Sequence, residues 1–215
     1  MRRHEYPHQG LAIGLAALAG FVDALGFLHL GGMFVSFMSG NSTRMAVGIA
    51  GLAPGSLFAA ALIAAFVGGV MIGTGIGAAA RRWRKPAVLA FVVAMLALGA
   101  LTAVHLHRST VCVLLMAIAM GSANAIFQRD GEVSLGVTYM TGTLVKLGQH
   151  LAAALGGGPR FAWLPYLLLW LGLVGGAVAG AALFPVFGLQ ALWIAVGFAA
   201  LLCIAAALLG PLPEA

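Results

Sequence analysis

The chain has 215 residues, of which 62% are apolar and only 7% charged, with 31 glycines, a mean hydropathy of +1.08 and a formal net charge of +6. This composition excludes an ordinary soluble domain and describes an all-α polytopic membrane protein. The positive balance fits basic loop ends rather than a nucleic-acid surface, and Cys112 and Cys203, each alone in an apolar run, make neither a disulfide framework nor a metal motif.

Eight apolar segments follow one another. The first, about 11–28, comes after Arg2-Arg3 and holds Ala17-Leu18-Ala19, as a cleaved leader would. Its apolar run continues to Leu30, so it reads as a first membrane helix, and Asp23 is its only charge. The second segment, about 33–51, is polar in its middle: Ser39-Gly40-Asn41-Ser42-Thr43-Arg44. Segments at about 56–80 and 86–106 complete the first half, the former carrying Gly68-Gly69 and Gly73.

The next four segments, about 110–127, 133–155, 163–186 and 189–210, repeat the first four. Ser39-Gly40 and Arg44 align with Thr141-Gly142 and Lys146, 102 residues later, and Thr143 follows in the same turn. Gly20 and Asp23-Ala24 align with Gly121 and Asn124-Ala125, and Val67-Gly68-Gly69 with Val174-Gly175-Gly176. The change in offset places an insertion of about five residues near 156–160. The chain therefore reads as one membrane domain, 1–215, built from repeats of about 1–107 and 108–215.

Loop charges bear on the number of crossings. If the second segment of each half enters and leaves on one side, a single face collects Arg2, Arg3, Arg81, Arg82, Arg84, Lys85, Arg129 and Arg160, against Arg108 alone. That bias marks a cytoplasmic face, puts both termini there and makes the repeats inverted, each with three transmembrane helices plus a broken, re-entrant segment. The alternative of eight crossing segments divides the charges five to four.

The second segments also look broken in themselves. Phe34-Val35-Ser36-Phe37 and Val137-Thr138-Tyr139 favour extended backbone, and the Ser/Thr-Gly runs after them supply turn and N-cap chemistry. Each unit is expected to be an unwound stretch feeding a half-helix whose N-terminus lies inside the protein. Such an end, with hydroxyls beside it and Arg44 or Lys146 one turn on, would bind an anion. Small polar runs also serve as packing surfaces, and cations near segment ends snorkel. Asp23 is either a proton-coupling group or a structural partner of Arg44 or of unwound backbone N–H groups in the facing repeat; Asn124 keeps its shape without its charge. His105 with His107 is too sparse for a metal site, His29 and His150 read as interfacial, and Asp130 with Glu132 as a solvated turn.

Gly20-Phe21-Val22-Asp23-Ala24-Leu25-Gly26-Phe27, Gly32-Met33-Phe34-Val35-Ser36 and Met38-Ser39-Gly40-Asn41 together resemble the YoaK-like family of bacterial inner-membrane proteins, a family of unknown function. Ser39 stands where Thr is associated with the family. The resemblance spans nearly the whole chain and implies an inner-membrane location, but no substrate. In architecture alone, an extended stretch meeting a half-helix in each inverted repeat is similar to sulfate, bicarbonate and nucleobase carriers.

Two function classes result. One is a small secondary transporter for a small anion or polar acid, with its site between Ser39–Arg44 and Thr141–Lys146. The other is a non-transporting scaffold or accessory subunit. No catalytic motif suggests an enzyme. The expected partners are the lipid bilayer, an anion and a second copy of the chain, without nucleic acid or cofactor.

Overall fold

The computed structural model of the protein describes residues 6–52, 55–105, 109–129, 132–133 and 139–210. The expectations placed on Arg2, Arg3, His107, Arg108, Asp130, Val137 and Thr138 lie outside these residues, as do the side chains of His105, Arg129 and Glu132.

Eight α-helices appear among the described residues: α1 (Tyr6–His29), α2 (Met38–Ala50), α3 (Gly55–Ala80), α4 (Arg84–His105), α5 (Ser109–Ala123), α6 (Met140–Leu155), α7 (Leu164–Phe187) and α8 (Leu192–Leu208). A short antiparallel ladder, β1 (Gln128–Arg129) with β2 (Glu132–Val133), stands where a plain turn was expected. Short 3-10 turns join α3 to α4 and α7 to α8 and extend α5 to Phe127. Apolar composition drives the long helices, and four stretches are long and apolar enough to cross a membrane: Gln9–His29, Gly55–Ala103, Ser109–Phe127 and Leu164–Leu208. The second and fourth contain two helices each, so six helices lie within these stretches. At 1.5 Å per residue, α2 with 13 residues and α6 with 16 reach only about 20–24 Å. A hydrocarbon core is about 30 Å thick.

Glycines decide which helices touch. A methyl group on Gly20 would collide with the carbonyl oxygen of Leu173, and one on Gly176 with that of Ala17. The equivalent pair behaves identically: Gly121 lies on the Phe66 carbonyl and Gly69 on that of Ile118. Thus α1 packs on α7, and α3 on α5, with backbones in direct apposition, as small residues permit in membrane bundles. Ile13, Ala17 and Phe21 meet Gly172, Gly176 and Gly180 in the same order, so α1 and α7 run parallel. Ile118 and Ser122 meet Gly69 and Gly73, so α3 and α5 do as well.

Other contacts run in reverse order. Gly99 faces Cys112 while the Lys85 ammonium lies 5.5 Å over the Phe127 ring, which makes α4 and α5 antiparallel. Gly99 also faces Leu192, and the Cys203 Sγ donates to the Pro86 carbonyl at 3.4 Å, which makes α4 and α8 antiparallel. Phe187 ends α7 level with the end of α1, yet Leu202 packs on Gly14 near its beginning, so α8 turns back. Helices α1, α4 and α7 point one way, and α3, α5 and α8 the other. The interior between them is filled by apolar side chains such as Leu15, Leu18, Leu89, Leu96, Met116 and Met120, all fully buried. Outward positions such as Met71, Val178 and Leu201 are exposed and apolar, as a lipid-facing surface requires.

Candidate functional site

Between α1 and α2 the chain turns on Gly31 and Gly32, both with positive φ (64° and 114°), a backbone that a Cβ disfavours. Residues 33–37 then run without regular structure, as the β-branched and aromatic sequence predicts. Two polar side chains hold this stretch. The Asp23 Oδ1 accepts the backbone N–H groups of Val35 (2.8 Å) and Ser36 (2.9 Å), and its Oδ2 accepts the Ser36 hydroxyl (3.0 Å). Asn41, fully buried in α2, takes both backbone groups of Phe34: Oδ1 accepts the N–H at 3.0 Å and Nδ2 donates to the carbonyl at 2.6 Å. A buried unpaired amide is costly, so these bonds let an unwound segment exist inside an apolar bundle. The backbone that Asp23 holds belongs to its own repeat, not to the facing one.

The first turns of α2 and α6 match closely. The residues before them, Phe37 and Tyr139, have φ,ψ of −91°,77° and −90°,65°, and neither caps its helix through a side chain. Here the N-cap chemistry expected of the Ser/Thr-Gly runs is not realised. Ser39 and Thr141 sit inside the first turn. The Ser42 and Thr43 hydroxyls donate back to the carbonyls of Met38 and Ser39, and Thr143 to Tyr139, because an i−4 carbonyl is the nearest acceptor inside a helix. The glycines of the motif make room for aromatic rings: Gly40 lies under Phe37 and Phe34, and Gly142 under Tyr139. With no side-chain cap, the first-turn N–H groups of both helices lack an intrahelical partner.

These two helix ends face one cavity. Its volume is about 260 Å³, and it is lined by Ser36, Phe37, Met38 and Ser39 from the first half, Tyr139, Met140 and Thr141 from the second, and Phe66 of α3. The structure thus brings Ser39 and Thr141 to one space. The two cations lie elsewhere. The Arg44 guanidinium folds over Gly32, beside the end of α1. Lys146 lines a separate cavity with Gln9, Ile13, His150 and Tyr166. Asp23 bonds to Val35 and Ser36 rather than to Arg44, and Asn124 donates to the carbonyls of Met120 and Gly121 in the helical turn before it.

Phe66 and Tyr166 were not singled out by the sequence. Phe66 lies three positions before Gly69, a spacing that places it over the same helix face, and so carried a usable signal. Tyr166 carried none, since its relation to His150 depends on how α6 meets α7.

Residues 11–205 match the family described as "Protein of unknown function (DUF1275)". A relative from Rhizobium meliloti (strain 1021), the UPF0700 transmembrane protein RA0705, is 36% identical over 211 residues, covering 96% of this chain and 88% of its own length. The chain belongs to this family. The UPF0700 transmembrane protein YoaK of Bacillus subtilis (strain 168) is also similar, 26% identical over 148 residues, or 66% of each chain. No solved structure matches. The resemblance drawn from Asp23-Ala24 and Ser39-Gly40-Asn41 is therefore to the right family, and this DUF1275 protein is a membrane protein whose relatives are named as transmembrane proteins.

Proposed function

We propose that this DUF1275 protein is a small secondary transporter, a permease without enzymatic activity, for a small anion or polar acid, and that the cargo occupies the cavity where α2 and α6 begin. The convergence of the two helix N-termini on one cavity carries the reading. Each end presents N–H groups without an intrahelical partner and about half a positive charge, and Ser36, Ser39 and Thr141 lie at the wall. In this reading α2 and α6 are half-helices that do not cross, and Arg44 and Lys146 strengthen the positive field from outside the cavity.

The proposal includes the topology. Six crossings in the order of α1, α3, α4, α5, α7 and α8 alternate direction, and the halves are then inverted. Antiparallel α4 and α8 support this, since eight alternating crossings would make them parallel. Irregular backbone flanked by half-helices at a repeat interface is how inverted-repeat carriers build a midplane site. The bacterial inner membrane, cytoplasmic termini and a homodimer complete the reading.

Purified protein reconstituted in liposomes tests it. Saturable flux of one or more small anions is expected, and Ser39→Leu combined with Thr141→Leu, which fills the cavity, should abolish it while leaving the melting temperature within a few degrees. If a broad anion panel gives no flux above empty liposomes, the scaffold reading takes its place.

A further inference from the structure

The larger cavity lies apart from the one at the two helix ends. It has a volume of about 320 Å³ and sits where the beginnings of α1 and α7 meet α6. That is within the size range of small-molecule sites, about 300–1,000 Å³. Most of its wall is apolar, including Ile13, Pro165 and Leu169, and four polar residues join it: Gln9, Lys146, His150 and Tyr166. Each can donate a hydrogen bond: an ammonium, an imidazole, a phenol and a carboxamide. No carboxylate lines it among the described residues. The His150 and Tyr166 rings stack at 5.0 Å with an interplanar angle of 12°, which fixes both polar edges. The Trp163 indole donates to the Arg160 carbonyl at 2.8 Å and orders the nearby α6–α7 connection.

Among the described residues, the equivalent place in the first half is filled. The positions equivalent to His150, Tyr166 and Leu169 are Gly48, Ala59 and Leu62. Ala59 and Leu62 are fully buried, and Gly48 packs against Ser56. Among the described residues, the opening and its His150–Tyr166 wall therefore belong to the second half.

We propose that this cavity is a binding site for a phosphate group. It opens at the level where α1 and α7 begin their apolar runs, the depth of lipid headgroups, and Trp163 and Tyr166 mark that level as interfacial aromatics do. A basic pocket between helices at this depth suits the phosphate of an anionic lipid; free inorganic phosphate offers the same chemistry. The site does not depend on transport.

The test uses the full-length protein in neutral detergent, with melting temperature followed against phosphatidylglycerol, phosphatidylcholine and inorganic phosphate. A saturable rise with phosphatidylglycerol but not phosphatidylcholine or inorganic phosphate assigns the lipid. A rise with inorganic phosphate assigns the free anion. In either case Lys146→Gln should weaken the half-saturating concentration about tenfold or more, the scale of a lost charge-assisted hydrogen bond. Tyr166→Phe should weaken it less. Lys146 is exposed, so its replacement leaves packing intact. No response to phosphatidylglycerol or phosphate, or responses unchanged in both variants, overturns the proposal.

Discussion

The Asp23 carboxyl group holds Ser36 twice, by its backbone N–H through Oδ1 and by its hydroxyl through Oδ2. Those bonds tie a helical residue to an unwound one and set where α2 begins. Asp23→Ala should leave two backbone N–H groups without acceptors and cost about 2–6 kcal/mol, at about 1–3 kcal/mol for each. Asp23→Asn retains one acceptor oxygen and should cost less than half of that. Denaturant unfolding in detergent measures both. A proton-coupled carrier would separate the variants differently: Asp23→Asn would fold and bind cargo but lose its response to an imposed pH gradient in liposomes.

Asn41 supplies both a donor and an acceptor to Phe34, which gives a sharp substitution test. Asn41→Ala loses both bonds and is expected to destabilise by about 2–6 kcal/mol, counting two buried groups left unsatisfied. Asn41→Asp keeps the acceptor but sets an oxygen against the Phe34 carbonyl. It should be no milder than alanine at neutral pH, by the same unfolding measurement.

The glycine contacts separate neighbours in the sequence. Gly69→Ala and Gly176→Ala drive a methyl group into the backbone of Ile118 and Ala17, whereas Gly68 and Gly175 have nothing within 4 Å of an added Cβ. Alanine at the first pair should lower stability by about 1–3 kcal/mol or more through overpacking. Alanine at the second pair should be neutral or slightly stabilising, since it favours the helix. Equal effects at all four positions would remove the close-approach account.

Topology can be read by labelling single cysteines placed at Arg81 and at Gly157, in a background with Cys112 and Cys203 replaced. Six crossings put both on the same face, and eight put them on opposite faces. Both sites should react with a membrane-impermeant maleimide only after the cell is opened.

Much of the fold was legible because membrane helices announce themselves by composition. Eight segments appear at nearly the expected limits, and the longer 156–163 connection lies where the offset between repeats changes. The unwinding at 33–37 was visible in Phe34-Val35-Ser36-Phe37. The use of the polar residues was less so. Ser42 and Thr43 look like capping residues, yet once inside the helix their hydroxyls find the carbonyls one turn back. Lys146 looks like the counterpart of Arg44 beside its own half-helix end, but its direction depends on how α6 meets α1 and α7, which no local pattern encodes. Asp23 could be recognised as needing partners without any means of naming Val35 and Ser36.

Since α1 has its widest contact with α7, it waits after synthesis for a helix that begins at Leu164. At about 5–20 residues per second, that delay is on the order of ten to thirty seconds. Throughout it, the face around Gly20 is covered only by lipid or by the insertion machinery, while the α3–α5 pair can already close. Assembly therefore finishes from the end of the chain backwards. A truncation that removes only α7 and α8 would strand α1 as well.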